Sequence, residues 1–212
     1  MNLMGTILPA PRVFMLCVLS HFLLIANSVS AEGLSVTGYL GYRVGGEFED
    51  AITGTTLKLA ESESYGLIVG QDNGSSTQYE FLFSRQPTSL TAGGPVTTGV
   101  LVDIDVENYL IAVKRILDRD AGTFVSGMVG ATRFDPSSSS LSPETRFSLG
   151  IGGGLDYRIS KNLGFRLEGR GIATLLDSSG RMFCSSSGGC SVFVGGSMLW
   201  QFEFITGFTF KF

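Results

Sequence analysis

Three features of this 212-residue sequence could carry chemistry. Cys184 and Cys190 enclose Ser-Ser-Ser-Gly-Gly. In an exported chain, two cysteines this close within a Ser/Gly-rich segment read as a disulfide; a metal site needs further ligands, and the C-x-x-C redox spacing is not met. The stretch "GIGGGLD" at 150–156 has glycines of the kind that cradle phosphate. It lacks a following helix and lies inside an alternating segment, so glycines that let neighbouring residues pack explain it better. The third feature is a set of charged residues that alternate with apolar ones: Arg43, Glu80, Glu107, Arg146, Asp156, Arg158, Arg166, Glu168, Arg170 and Glu203. What they can do depends on what encloses them.

The amino end is read first because it is expected to leave. Arg12 supplies a positive start, an apolar run follows over residues 13–26, and Val29-Ser30-Ala31 offers the small residues a signal peptidase reads. Residues 1–31 are therefore expected to be a secretory signal peptide and 32–212 the mature domain. Removal would take Cys17 and the sole histidine, His21. With no histidine left, neutral-pH general-base chemistry and metal ligation both lose their commonest side chain, and neither a cofactor nor a metal is expected. The net charge of -4 excludes a dominant basic surface, so nucleic acid is not an expected partner.

After residue 32 the recurrent period is two, which predicts an all-β chain. Eight strands are expected. The first, near 34–44, sets Leu34, Val36, Leu40, Tyr42 and Val44 against Ser35, Thr37, Tyr39 and Arg43. The second and third, near 64–71 and 78–84, form a hairpin about Asp72-Asn73-Gly74. On the fourth, near 103–115, Ile104, Val106, Leu110 and Ala112 share a face with Asn108. The fifth, ending near 134, is ambiguous, since Phe124 and Met128 oppose Val125 and Val129. The sixth and seventh oppose Phe147, Leu149, Ile151, Leu163, Phe165 and Leu167 to the charged residues. The eighth ends the chain with Phe202, Phe204, Phe208, Phe210 and Phe212.

Connections alternate short and long, the longer ones near 45–63, 85–102, 135–145 and 176–196. That rhythm suits an antiparallel up-and-down transmembrane β-barrel with short turns and both termini in the periplasm. A stripe of five phenylalanines in water invites aggregation, whereas outside a barrel it meets lipid. The apolar faces are then expected to point outward, and the charged ones to meet inside as a network of ion pairs.

On these residues the chain resembles the small eight-stranded outer-membrane barrels of Gram-negative bacteria, of OmpA/OmpX and opacity-protein type. The signal-like amino end, "PETRFSLGIGGGLDYRIS", "GFRLEGRG" and the alternating aromatic terminus carry the resemblance. It implies an outer-membrane location and contact with outer-membrane lipid. It also implies an assembly signal on Phe208, Phe210 and Phe212, read by the barrel assembly machinery. Enzymatic barrels of this membrane depend on histidine, so a non-enzymatic role is expected: surface loops serving envelope integrity or adhesion, with an unidentified surface ligand. The alternative is a small pore or transporter for ions or hydrophobic molecules.

Overall fold

The computed structural model describes residues 33–49, 56–93, 99–138, 141–176, 181–184, 190–193 and 198–212, with backbone alone at 48–49, 92–93, 99, 181–184 and 190–193. The expected signal peptide lies outside them, and the unit considered is Gly33–Phe212. Its strands in chain order are β1 (Leu34–Gly45), β2 (Glu47–Glu49), β3 (Thr56–Leu59), β4 (Ser62–Asp72), β5 (Thr77–Gly93) and β6 (Gly99–Asp118). They are followed by β7 (Thr123–Pro136), β8 (Glu144–Arg158), β9 (Leu163–Leu175), β10 (Arg181–Cys184), β11 (Cys190–Phe193) and β12 (Met198–Lys211).

Eight of these strands close an antiparallel barrel in the order β1, β4, β5, β6, β7, β8, β9, β12. Closure is made by β1, which bonds β4 on one side and β12 on the other. Among these eight strands no free edge is left along the closed wall to template pairing with another chain. The β2–β3 hairpin continues the wall by pairing β3 with β5, and β10 pairs with β11 separately.

Local chemistry sets the tight turns. Asp72 Oδ1 accepts the Gly74 amide at 3.0 Å, and Gly74 takes φ +68°, a conformation that costs a Cβ-bearing residue more. At the next turn Asp118 Oδ1 accepts the amides of Asp120 and Ala121 at 2.8 and 3.1 Å.

Burial alternates strictly along β12, with Gln201, Glu203, Ile205 and Thr209 inward and Phe202, Phe204, Phe208 and Phe210 outward. The ambiguous strand resolves with Phe124, Ser126 and Met128 inside and Val125 and Val129 outside.

Two expectations fail: Leu110 and Ala112 line an apolar layer inside the belt, and the rest follows from what lies beyond it. Ile104, Val106, Leu110 and Ala112 of β6 point into the barrel, not to its outside. Much of 56–59, 85–93 and 99–102, expected as loop, is strand. The wall continues past the apolar belt, and there its polarity inverts. At the end away from the short turns, Leu57, Leu59, Leu90, Ile104, Val106, Phe134, Leu176 and Leu199 pack inside. The outward positions of the same strands carry Arg85, Asp105, Glu107, Arg133 and Asp135, with Arg85–Asp105 at 2.6 Å and Arg133–Asp135 at 2.8 Å. On the β5–β7 side that portion is built as a barrel in water is, apolar within and charged without.

Glycines set the interior volume. A Cβ on Gly66 would lie 2.6 Å from Tyr39 Cζ, and one on Gly207 2.8 Å from Tyr39 Cβ. Gly66→Leu is expected to destabilise the barrel by at least about 1–3 kcal/mol through overpacking. Gly127→Ala, where nothing lies within 4 Å of the new methyl, should leave the urea midpoint of the lipid-folded protein unchanged. Equal midpoints for the two variants would contradict this packing.

Candidate functional site: the filled lumen

The inward residues stack in layers along the barrel axis. Toward the short turns, Arg166 of β9 grips Glu80 of β5 with two bonds, Nη1 to Oε1 at 2.7 Å and Nη2 to Oε2 at 3.0 Å. Its Nε and Nη2 also reach Glu168 Oε2, at 2.9 and 2.8 Å. Lys114 of β6 joins Glu80 at 3.0 Å to Asp156 at 2.6 Å. The Phe124 ring lies 4.6 Å from the Arg166 guanidinium and 5.0 Å from the Lys114 ammonium, within cation–π range.

Space for this layer comes from Gly150, Gly152 and Gly154, which share the inward face of β8. A Cβ on Gly152 would stand 2.9 Å from Glu168 Oε1 and 2.9 Å from Met128 Cε. The "GIGGGLD" stretch is therefore a clearance for side chains from the two neighbouring strands, Met128 of β7 and Glu168 of β9.

Above it lies an apolar layer of Ile68, Leu82, Leu110, Ala112, Met128, Ile172 and Ile205, with Tyr39. Next comes a second polar layer centred on Glu203, which accepts Arg43 Nη2 at 2.9 Å and Arg170 Nε at 2.6 Å. Arg170 Nη2 donates to Tyr39 Oη at 2.6 Å, and the Tyr39 hydroxyl donates in turn to the Phe83 carbonyl at 3.2 Å. Arg43 donates to the Ser84 hydroxyl. With the Asn108 amide oriented to satisfy both its atoms, its oxygen accepts Arg43 at 3.0 and 3.2 Å and its nitrogen donates to Thr132 at 2.7 Å. Thr132, Ser148 and Thr174 extend the chain of hydroxyls at 2.7 and 2.9 Å. The apolar cluster around Phe134 and Leu199 caps the stack.

The charges balance. Arg43, Lys114, Arg166 and Arg170 face Glu80, Asp156, Glu168 and Glu203. Balance matters because desolvating an unpaired charge here costs several kcal/mol, on the order of what a paired arrangement recovers. Each fully enclosed carboxylate is held by at least one cation.

Of the residues expected in this network, Arg43, Glu80, Arg166, Glu168, Arg170 and Glu203 are brought together inside. Asp156 sits at the short-turn mouth with its side chain 30% exposed. Arg158 lies beyond it, exposed and without an ion pair among the described residues. Arg146 pairs with Glu144 at 2.6 Å at the far end. Glu107 is a correction: it lies on the outer face, accepting the Tyr109 hydroxyl at 2.9 Å and facing Arg85. Its neighbours Val106 and Asn108 take the two inward positions, so Glu107 must point out. Lys114 was not expected. It shares a face with Ala112, Leu110 and Asn108, and a lysine on that apolar face was the available signal that the face looks inward.

Phe208, Phe210 and Phe212, the expected assembly signal, are exposed on the outer face at the short-turn end, where Phe208 meets Phe165 edge-on at 5.7 Å. Cys184 and Cys190 stand directly opposite in the β10–β11 ladder; their side chains lie outside the described residues.

A closed wall of this strand number, with its lumen filled and an aromatic stripe outside, can be compared with solved structures. Neisserial surface protein A matches with a TM-score of 0.60 over 85% of this chain and 98% of that one, at 13% identity. The outer membrane protein AlkL, determined in DMPC bilayers, matches with a TM-score of 0.51 over 85% and 90%, also at 13% identity. This chain has the small outer-membrane barrel fold. No family model matches it, and no curated protein matches it by sequence. In an outer-membrane barrel of eight strands the interior is just wide enough to be filled by side chains, as it is here.

Glu203→Gln removes the only carboxylate bonded to Arg43 and Arg170 among the described residues, and should lower unfolding stability by about 3–5 kcal/mol. Glu107→Gln, on the outer rim, should change it by no more than about 0.5 kcal/mol. Urea titration of the two variants in the same vesicles measures the difference, and comparable losses would refute the assignment of inner and outer faces.

Proposed function

We propose that this protein is a non-enzymatic outer-membrane barrel whose working surface is the extended wall at the end away from the short turns. The observation that carries the reading is the filled lumen. Between the two ion-paired layers lies an apolar one, and a second apolar cluster lies toward the far end, so no continuous polar path joins the inward side chains among the described residues. A barrel without a path serves through what it displays.

In this reading the short turns and both termini face the periplasm, and the β2–β3 and β10–β11 hairpins with the long ends of β5 and β6 stand outside. Those strands, at 17 and 20 residues, exceed the roughly 9–11 that a crossing needs. The exposed wall interacts with envelope or host material, or braces the envelope. The opposed positions of Cys184 and Cys190 support a disulfide that pins the outermost hairpin. The terminal aromatics support recognition by the barrel assembly machinery.

Purified protein in a planar bilayer is expected to give no conductance steps; stepwise currents at the single-barrel level would favour the pore. Removing residues 181–193 should abolish binding to envelope or host-cell material while the folded band still shifts on heating in a detergent gel. Thiol titration of the unfolded, unreduced mature protein should find no free thiol, and a count of two would exclude the disulfide.

A further inference from the structure

The outer surface is uneven in a way that a lone barrel does not explain. On β6 the outward residues between Glu107 and Arg115 are Tyr109, Ile111 and Val113. With strands rising about 3.3 Å per residue and tilted about 40°, those eight steps cover roughly 20 Å of membrane normal. On β12, directly across the barrel, the outward face from Met198 to Phe212 carries no charge, and Thr206 is its one polar residue. Those fourteen steps cover roughly 35 Å, against an apolar belt of about 25 Å. Neighbouring β9 is also uncharged outward from Leu163 to Leu175.

Tilting the barrel cannot remove this mismatch. The β12 wall is overlong in total and the β6 wall is short in total, whereas a tilt raises or lowers both ends of a wall together. The excess apolar surface, with Met198 and Trp200 exposed by 41% and 50%, needs a cover other than lipid.

We propose that the β9–β12 face is the interface of a homodimer in the membrane, formed with a second copy of this chain. Three observations favour a second copy. First, the face carries a ridge and a hollow side by side: Trp200, Phe202 and Phe204 project from β12, and next to them Gly169 and Gly171 leave a hollow that Ile151 borders. Second, the two copies insert in the same sense, so their two-fold axis is parallel to the membrane normal and preserves height. The ridge of each then meets the hollow of the other, as an isologous interface requires. Third, the face is large enough for a second copy. A face three strands wide and about fourteen residues long spans roughly 650 Å² in plan, near the about 800 Å² per partner of a stable interface.

The proposal rests on membrane insertion of the barrel, so the test reports the two separately. A photoreactive phenylalanine analogue is placed at Phe202, and in a second protein at Ile111 on the opposite wall, with the full chain expressed in outer membranes. Illumination is expected to give a cross-linked species of twice the monomer mass from the Phe202 position and none from Ile111. Ile151→Trp, at a position 71% exposed, fills the hollow without touching the interior. It should reduce cross-linking at least about tenfold, the shift that about 1.4 kcal/mol of lost packing produces, while the heat-shifted folded band remains. A heat-shifted protein that stays monomeric, cross-links equally from both walls, or captures lipid or a different protein at Phe202 overturns the dimer. A protein with no heat shift overturns the membrane barrel itself.

Discussion

The structure depends on the width of a sheet that closes on itself. Eight antiparallel strands leave an interior in which side chains from opposite walls meet each other before they meet water. Every inward group must therefore find its partner on a neighbouring strand or across the lumen, and volume added at one position must be removed at another. Tyr39 takes the room left by Gly66 and Gly207, and Glu168 and Met128 take the room left by Gly152. The same narrowness makes charge neutrality a condition of folding. Glu203 sits between two guanidiniums, and Glu80 between a guanidinium and an ammonium, because at these separations in a poorly hydrated interior an isolated charge has no other relief.

Solvent outside the wall decides which face carries which chemistry, and it changes along the axis. Within the apolar belt, Tyr109, Ile111 and Val113 of β6 point out and Asn108 and Lys114 point in. Within six residues of Tyr109, Asp103, Asp105 and Glu107 point out while Ile104 and Val106 point in. Pairing runs through the change with only a register shift between Leu90 and Thr91, so one continuous sheet is built for two solvents. A wall built this way suits projection beyond an apolar layer as strands, with an apolar cluster inside it above the ion-paired layers.

The outer surface follows a related rule of complementary volume. Outward glycines on β9 are covered by aromatic rings from β12: a Cβ on Gly169 would approach the Phe204 ring at 3.4 Å, and one on Gly171 the Phe202 ring at 3.3 Å. Rings laid across glycines shield backbone that would otherwise face lipid tails directly. They also carry the apolar face of this wall further along the axis than the one opposite, which ends early in charge.

The sequence by itself determined the strand period, the short turns and most of the inward charges, because these depend on neighbours two to four residues away. The alternation of Phe202, Phe204, Phe208 and Phe210 with Gln201, Glu203, Thr209 and Lys211 is legible on one strand alone, and so is Asp72-Asn73-Gly74 as a turn. Which face of β6 looks inward was not legible. Alternation defines two faces without naming them, and the answer changes meaning where the solvent does; hence Glu107 was placed inside and Lys114 was overlooked. The pairings Arg43–Glu203 and Arg166–Glu80 join residues far apart in the chain, and only the register of the closed barrel brings them within bonding distance.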